Sequence, residues 1–156
     1  MAIDSHRDLT LDQPSDVAPP ATDTRSAYER IGGGPAVKEL IDRFYELVLS
    51  DKHLARYFTT DMQRLKWHQA ALFTSLLGGP NEYQGRGLGE AHKRLRIPAK
   101  DYATVASYLV STMESMRLPA DVVQSIVTTA AAVEKDIVRV PVWRRVLRWR
   151  PGHRAA

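Results

Sequence analysis

The chain has 156 residues, 44% of them hydrophobic and 26% charged, as expected of one soluble globular domain carrying tails. It contains no cysteine, which excludes disulfides, thiolate chemistry, thiolate metal ligands and thioether attachment of a cofactor. No run approaches the roughly eighteen apolar residues of a membrane span, and the first residues lack the basic and apolar regions of a signal peptide, so a cytoplasmic protein is expected.

Charge divides the chain into three parts. Residues 1–25 hold five Asp and two Arg, net −3, without periodic apolar residues, and read as a disordered extension. Residues 26–138 hold fourteen basic and thirteen acidic residues, net +1, and form the ordered domain. Residues 139–156 hold six Arg and no acid, net +6, so the basic pI belongs mostly to this tail.

Order is expected to begin near Ser26 with a short helical turn, broken at Gly32-Gly33-Gly34. Pro35 then opens a helix at its first position, and Val37, Leu40, Ile41, Phe44, Tyr45 and Val48 follow the helical period. The next helix starts near Thr60, where Thr60 and Gln63 have capping-box spacing, and runs to Leu77 before Gly78-Gly79-Pro80. A glycine-rich stretch follows, with no preceding strand that would make it a phosphate loop. Leu88, His92 and Leu95 are spaced as a short helix that Pro98 ends. Tyr102, Val105, Ala106, Leu109, Met113 and Met116 mark a further helix. After Pro119, Val122, Val123, Ile126, Val127, Ala130, Val133 and Ile137 mark the last long one. No segment alternates with period two, so the fold class is all-α.

Three places put polar groups on apolar faces: Tyr45, the pair His68-Gln69, and His92. Each alone has an ordinary structural reading. Together they suggest a pocket, because a polar atom left unpaired in a core costs about 1–3 kcal/mol. A lone histidine on a short helix is poor for zinc, which wants four ligands, and suits haem iron, to which the porphyrin supplies four nitrogens.

The stretches YERIGG (28–33), FYELVL (44–49), RLKWHQ (64–69), GGPNEYQG (78–85) and EAHKRLRIP (90–98) are similar in order and spacing to the group I truncated haemoglobins. The resemblance spans roughly residues 26–138. It implies a truncated globin fold, a two-over-two helical sandwich around non-covalent haem b, with a trimmed first helix and a loop replacing most of the helix before the iron ligand. Position by position, His92 corresponds to the proximal iron ligand, and Tyr45 with Gln69 to the distal pair that hydrogen-bonds bound dioxygen. Phe58 corresponds to a residue wedged against the porphyrin, Leu65 and Phe73 to apolar lining of the distal pocket, and Arg64 to a partner of a haem propionate. The two glycine motifs correspond to the family's tight turns.

His68 stands where many members lack histidine and where some cyanobacterial and algal members use one as a second iron ligand. It either competes for the iron or points past the haem edge. Some of those relatives also bond haem through a histidine in the last helix; Lys135 stands at that position here, so exchangeable haem is expected. His53, after Asp51 and Lys52, reads as a solvated surface residue, and Trp67 lies off the apolar stripe of its helix.

In the tail, Val142, Val146 and Trp149 share one face opposite Arg144, Arg145 and Arg148, giving a short basic amphipathic helix over 141–150. It either packs back on the domain with solvated arginines or meets an anionic membrane surface or acidic partner. No aromatic or basic patterning outside the tail supports nucleic-acid binding. The resemblance implies a monomeric protein that binds O2, NO and CO, an oxygen carrier or a nitric oxide dioxygenase served by a separate reductase. Two alternatives stand beside it: a bis-histidyl redox protein acting on peroxide, nitrite or NO through His92 and His68, and a non-haem helical interaction module.

Overall fold

A computed structural model describes residues 23–80, 83 and 87–139, with the side chain of Leu88 excepted. The expected N-terminal extension, but for its last three residues, and the basic helix over 141–150 lie outside the described residues. Among those described there are seven helices and no strand.

Helix α1 (Ala27–Ile31) is only five residues long and is held by its cap. The Ser26 side chain accepts from the Glu29 amide, while Glu29 reaches back to the Ser26 amide at 2.9 Å. The sequence reading put a capping box at Thr60, but the complete box is here. Gly32, at φ 109°, ends α1 and begins α2 (Gly33–Ser50), a left-handed conformation that glycine adopts without steric cost. The helix therefore opens at Gly33 rather than at Pro35, whose missing N–H falls in a first turn where amides have no helical acceptor.

Helix α2 is the central element. Val37, Leu40, Ile41, Phe44, Tyr45 and Val48 are all buried on one stripe, as the period of the sequence predicts. It packs against α1, α3 (Lys52–Ala55), α4 (Met62–Leu76) and α6 (Ala99–Ser115). Helix α4 is capped by Asp61, whose carboxylate accepts from the amides of Gln63 and Arg64 at 2.9 and 3.2 Å, which corrects the expected Thr60 cap by one residue. Helix α5 (Leu88–His92) has five residues and leans on α7 (Ala120–Ile137), which pairs with α6. The α2/α4 pair and the α6/α7 pair thus form two layers, joined where α2 crosses α6.

The turn between α6 and α7 is a Schellman motif built without glycine. Arg117, at φ 55°, donates to the Glu114 carbonyl, and Leu118 donates to that of Met113. Pro119 then starts α7.

The two glycine motifs meet on one ring. The Tyr28 amide donates to the Leu77 carbonyl at 2.8 Å, laying its ring against Gly79. A Cβ added at Gly79 would come within 2.7 Å of that ring and 2.8 Å of the Thr74 methyl. Gly79→Ala therefore forces the ring or the α4 terminus outward, and chemical denaturation is expected to show a loss of about 1–3 kcal/mol.

Several carboxylates link the helices. Asp42 on α2 accepts from Lys38 and from Lys66 of α4; Asp121 forms a two-pronged pair with Arg30 at 2.6 and 2.7 Å; Asp101 accepts from the Tyr57 hydroxyl at 2.6 Å. Those donors hold all three below the ordinary carboxylate value: Lys38 first for Asp42, Arg30 for Asp121, Tyr57 for Asp101. A depressed folded-state pKa gives stability that is present above the unfolded value, 3.8, and is lost as pH falls through the folded values. Melting temperature is expected to change little between about pH 7 and 5 and to drop below about pH 4, with a shallower acid limb in Asp101→Asn.

Candidate functional site

Helices α4, α5, α6 and α7 line a cleft that opens to solvent. Its walls are apolar: Leu72, Phe73 and Leu76 from α4, Val105 and Leu109 from α6, Ile126, Val133 and Ile137 from α7, and Phe44 from α2. Of the few polar side chains that reach it, two are engaged by helix backbone. Tyr102 donates to the Ala130 carbonyl at 2.6 Å and Thr129 to that of Ser125 at 3.0 Å. The other two are Gln69 and His92.

His92 is half-buried in the last turn of α5. Its placement follows from a close approach: a Cβ at Gly89 would lie 3.3 Å from the Asp136 carbonyl, so the missing side chain lets α5 sit against α7. Downstream, Arg139 donates to the Ile97 carbonyl at 3.0 Å, tying the chain after α7 to the turn that follows His92. Gln69 is half-buried on α4, and its amide has no hydrogen-bond partner among the described residues.

Tyr45 is 3% exposed and sits behind the cleft, edge-on to Phe44 (5.0 Å between ring centroids) and to Phe58 (5.6 Å). Its hydroxyl has no hydrogen-bond partner among the described residues, yet no fully enclosed side-chain polar atom among them lacks one. The phenol oxygen therefore reaches a small accessible gap rather than a sealed core. Burial pushes its ionisation well above the ordinary tyrosine value, so the O–H stays protonated and available to donate.

The structure brings Gln69, Phe73 and His92 to one cleft and sets Tyr45 next to it through Phe44. Leu65 and Phe58 are half-buried and pack on the core cluster instead of lining the cleft. Arg64 is exposed in the first turn of α4, with no ion-pair partner for its guanidinium among the described residues. His68 is half-buried, does not line the cleft, and packs edge-on to Trp67 at 5.0 Å; Trp67 itself is 61% exposed.

Sequence reasoning missed the α6 and α7 side of the cleft as a functional wall. The apolar period of both helices was visible, but core and cleft lining have the same letters. His53 is exposed, as its sequence context predicts, but its ring also contacts the buried Asp101 carboxylate at 2.9 Å, which had no local signal.

The model of the bacterial-like globin family matches residues 26–138, most of the chain. The chain belongs to the group I truncated haemoglobins. It is 36% identical over 110 residues to the group 1 truncated hemoglobin GlbN of Synechocystis sp., covering 67% of this chain and 89% of that relative. Against GlbN of Mycolicibacterium paratuberculosis it is 34% identical over 113 residues, covering 72% and 83%. Among solved structures, the truncated hemoglobin of Tetrahymena pyriformis in its Fe(III) form is similar at 30% identity and TM-score 0.67, covering 73% of this chain and 98% of that one. The 2/2 hemoglobin of Synechococcus sp., solved with covalently attached heme, is similar at 30% identity and TM-score 0.68, with the same coverage.

The residues of this truncated haemoglobin fit the family's prosthetic group. One imidazole in a cleft with mostly apolar walls suits a metal that brings four nitrogens of its own. No group of three or more His, Asp or Glu among the described residues could hold a bare ion.

Proposed function

We propose that the protein binds haem b non-covalently in the cleft, where His92 would hold its iron, and uses it to bind O2, NO and CO. The observation that carries this reading is the pairing of Gln69 and His92 in one largely apolar cleft, beside a buried phenol with no hydrogen-bond partner among the described residues. Haem, when bound, supplies a metal centre with an open coordination position and a reversible one-electron couple.

The chain's own groups do the rest. The Tyr45 hydroxyl and Gln69 amide, which have no other hydrogen-bond partner among the described residues, would be the donors toward a ligand held there. Neither gives up a protein hydrogen bond to act. Leu72 and Phe73 give the site apolar walls, which strengthens those bonds. The same arrangement supports nitric oxide dioxygenation, NO + O2 + e⁻ → NO3⁻, in which a separate reductase supplies the electron. Lys135, exposed on α7, replaces the linking histidine of the covalent relatives and supports exchangeable haem. A monomer acting in the cytoplasm, as carrier or dioxygenase, completes the reading; the basic segment 141–150 would then serve as a surface contact.

The absorption spectrum of the haem-loaded protein tests this directly. A single broad visible band after dithionite, sharpening with carbon monoxide and unchanged by His68→Leu, is the expected result. Sharp split bands before any ligand is added, lost in His68→Leu, would favour the bis-histidyl redox reading. No haem uptake at all would leave a helical interaction module.

A further inference from the structure

The segment 51–58 joins α2 to α4, and its only helix, α3, is four residues long, too short to hold itself. Its position comes from packing and from one carboxylate. Leu54 is 1% exposed in the core. Asp101, in the first turn of α6 and only 6% exposed, accepts from the Tyr57 hydroxyl at 2.6 Å and has both oxygens 2.9 Å from His53 Nε2. The Arg56 guanidinium lies 3.6 Å from the same carboxylate and 3.1 Å from His53 Nε2. A guanidinium cannot accept, so Nε2 serves one neighbour only; the two carboxylate oxygens make it a donor to Asp101, and the Arg56 charge is balanced by the same acid. A second acid–phenol pair runs the other way: Tyr108 of α6 donates to Asp51, the cap of α3, at 3.1 Å.

A buried acid with three partners is a weak source of net stability, because desolvation offsets most of the attraction, but it specifies geometry. The geometry leads to the distal side. Tyr57 and Phe58 donate to the carbonyls of Leu54 and Ala55, each at 3.0 Å, which locks both residues in one turn. The Phe58 ring then stands edge-on to Tyr45 at 5.6 Å and 81°.

We propose that Asp101 is a positioning residue for the gas site: through Tyr57 and His53 it fixes the 51–58 turn, so that Phe58 holds the Tyr45 ring and aims its hydroxyl. This rests on the reading of Tyr45 as donor to the bound ligand. It assigns a role at the distal site to an acid on α6, a helix whose side chains at the cleft are Tyr102 and the apolar Val105, Ala106 and Leu109.

The test uses the haem-loaded ferrous carbon monoxide complex, which is diamagnetic, in wild type, Asp101→Asn, Tyr57→Phe, Tyr45→Phe and Asp121→Asn. Three quantities are read: amide hydrogen exchange at Tyr57 and Phe58, the nuclear Overhauser contact between the Phe58 and Tyr45 rings, and the C–O stretching band. Asp101→Asn and Tyr57→Phe are expected to speed exchange at both amides by about tenfold, weaken the ring contact, and move the C–O band the way Tyr45→Phe moves it. Asp121→Asn, which breaks the remote pair with Arg30, should lower stability and leave ring contact and band at wild-type values.

If Asp101→Asn and Tyr57→Phe lower the melting temperature while contact and band stay put, the acid is structural only and the proposal falls. Tyr57→Phe removes a single hydroxyl and decides the matter should Asp101→Asn not fold. If Tyr45→Phe itself leaves the band unmoved, the donor reading of Tyr45 fails instead, and the aiming role fails with it.

Discussion

His92→Ala is expected to abolish stable haem retention while leaving the helical fold in place. Changes to groups that merely orient a metal ligand typically cost about 10–100-fold in affinity, so removing the axial imidazole should cost more than about 100-fold. The fold should tolerate it, because His92 is half-buried at the end of a five-residue helix whose seat is the Gly89–Asp136 approach. Haem transfer to a scavenging globin, followed at the Soret band, measures the loss, and far-ultraviolet circular dichroism checks the fold. Added free imidazole should restore part of the affinity in His92→Gly, since the cavity left there has the shape of the missing ring. Retention at the wild-type rate would mean that the cleft holds the group by another residue and would overturn the assignment.

Tyr45→Phe separates function from stability more cleanly than any other single change. The hydroxyl has no hydrogen-bond partner among the described residues, so removing it orphans none of them, and the edge-on contacts with Phe44 and Phe58 survive in phenylalanine. Stability should stay within about 0.5 kcal/mol of wild type. Ligand escape should not. A hydrogen bond to a group bearing charge is worth about 1.5–3 kcal/mol, which converts to roughly a 10–100-fold faster O2 dissociation rate. Stopped-flow displacement of O2 by carbon monoxide measures that rate, and faster autoxidation should accompany it. Because burial holds the phenol protonated, the wild-type rate should show no step from Tyr45 ionisation anywhere between pH 6 and about 10.

Both substitutions concern residues that stood out in the chain itself. Helix α2 was legible in full because one stripe of six residues repeats at the helical period and all six are buried. Tyr45 stood out within that stripe as the one member with a polar atom. The cap of α4 was not legible to the residue. Thr59, Thr60 and Asp61 all carry capping oxygens, and the choice of Asp61 depends on where the chain leaves the 56–58 turn, which long-range contacts fix. The His53–Asp101 contact spans forty-eight residues and has no local signature.

What the sequence determined by itself is the helices other than α3 and the all-α class, and it singled out three polar interruptions that suggest a pocket. Each depends on spacing along one helix, and helical period is written locally. The tertiary structure decided which apolar residues are core and which are wall. On α7, Val122 is buried away from the cleft, while Ile126, Val133 and Ile137 farther along the same stripe line it. Transfer from water favours all four equally, so no feature of their identity separates them. The difference comes from packing: α7 meets both α6 and α5, and only the folded arrangement of those helices leaves one stretch of its stripe beside the cleft.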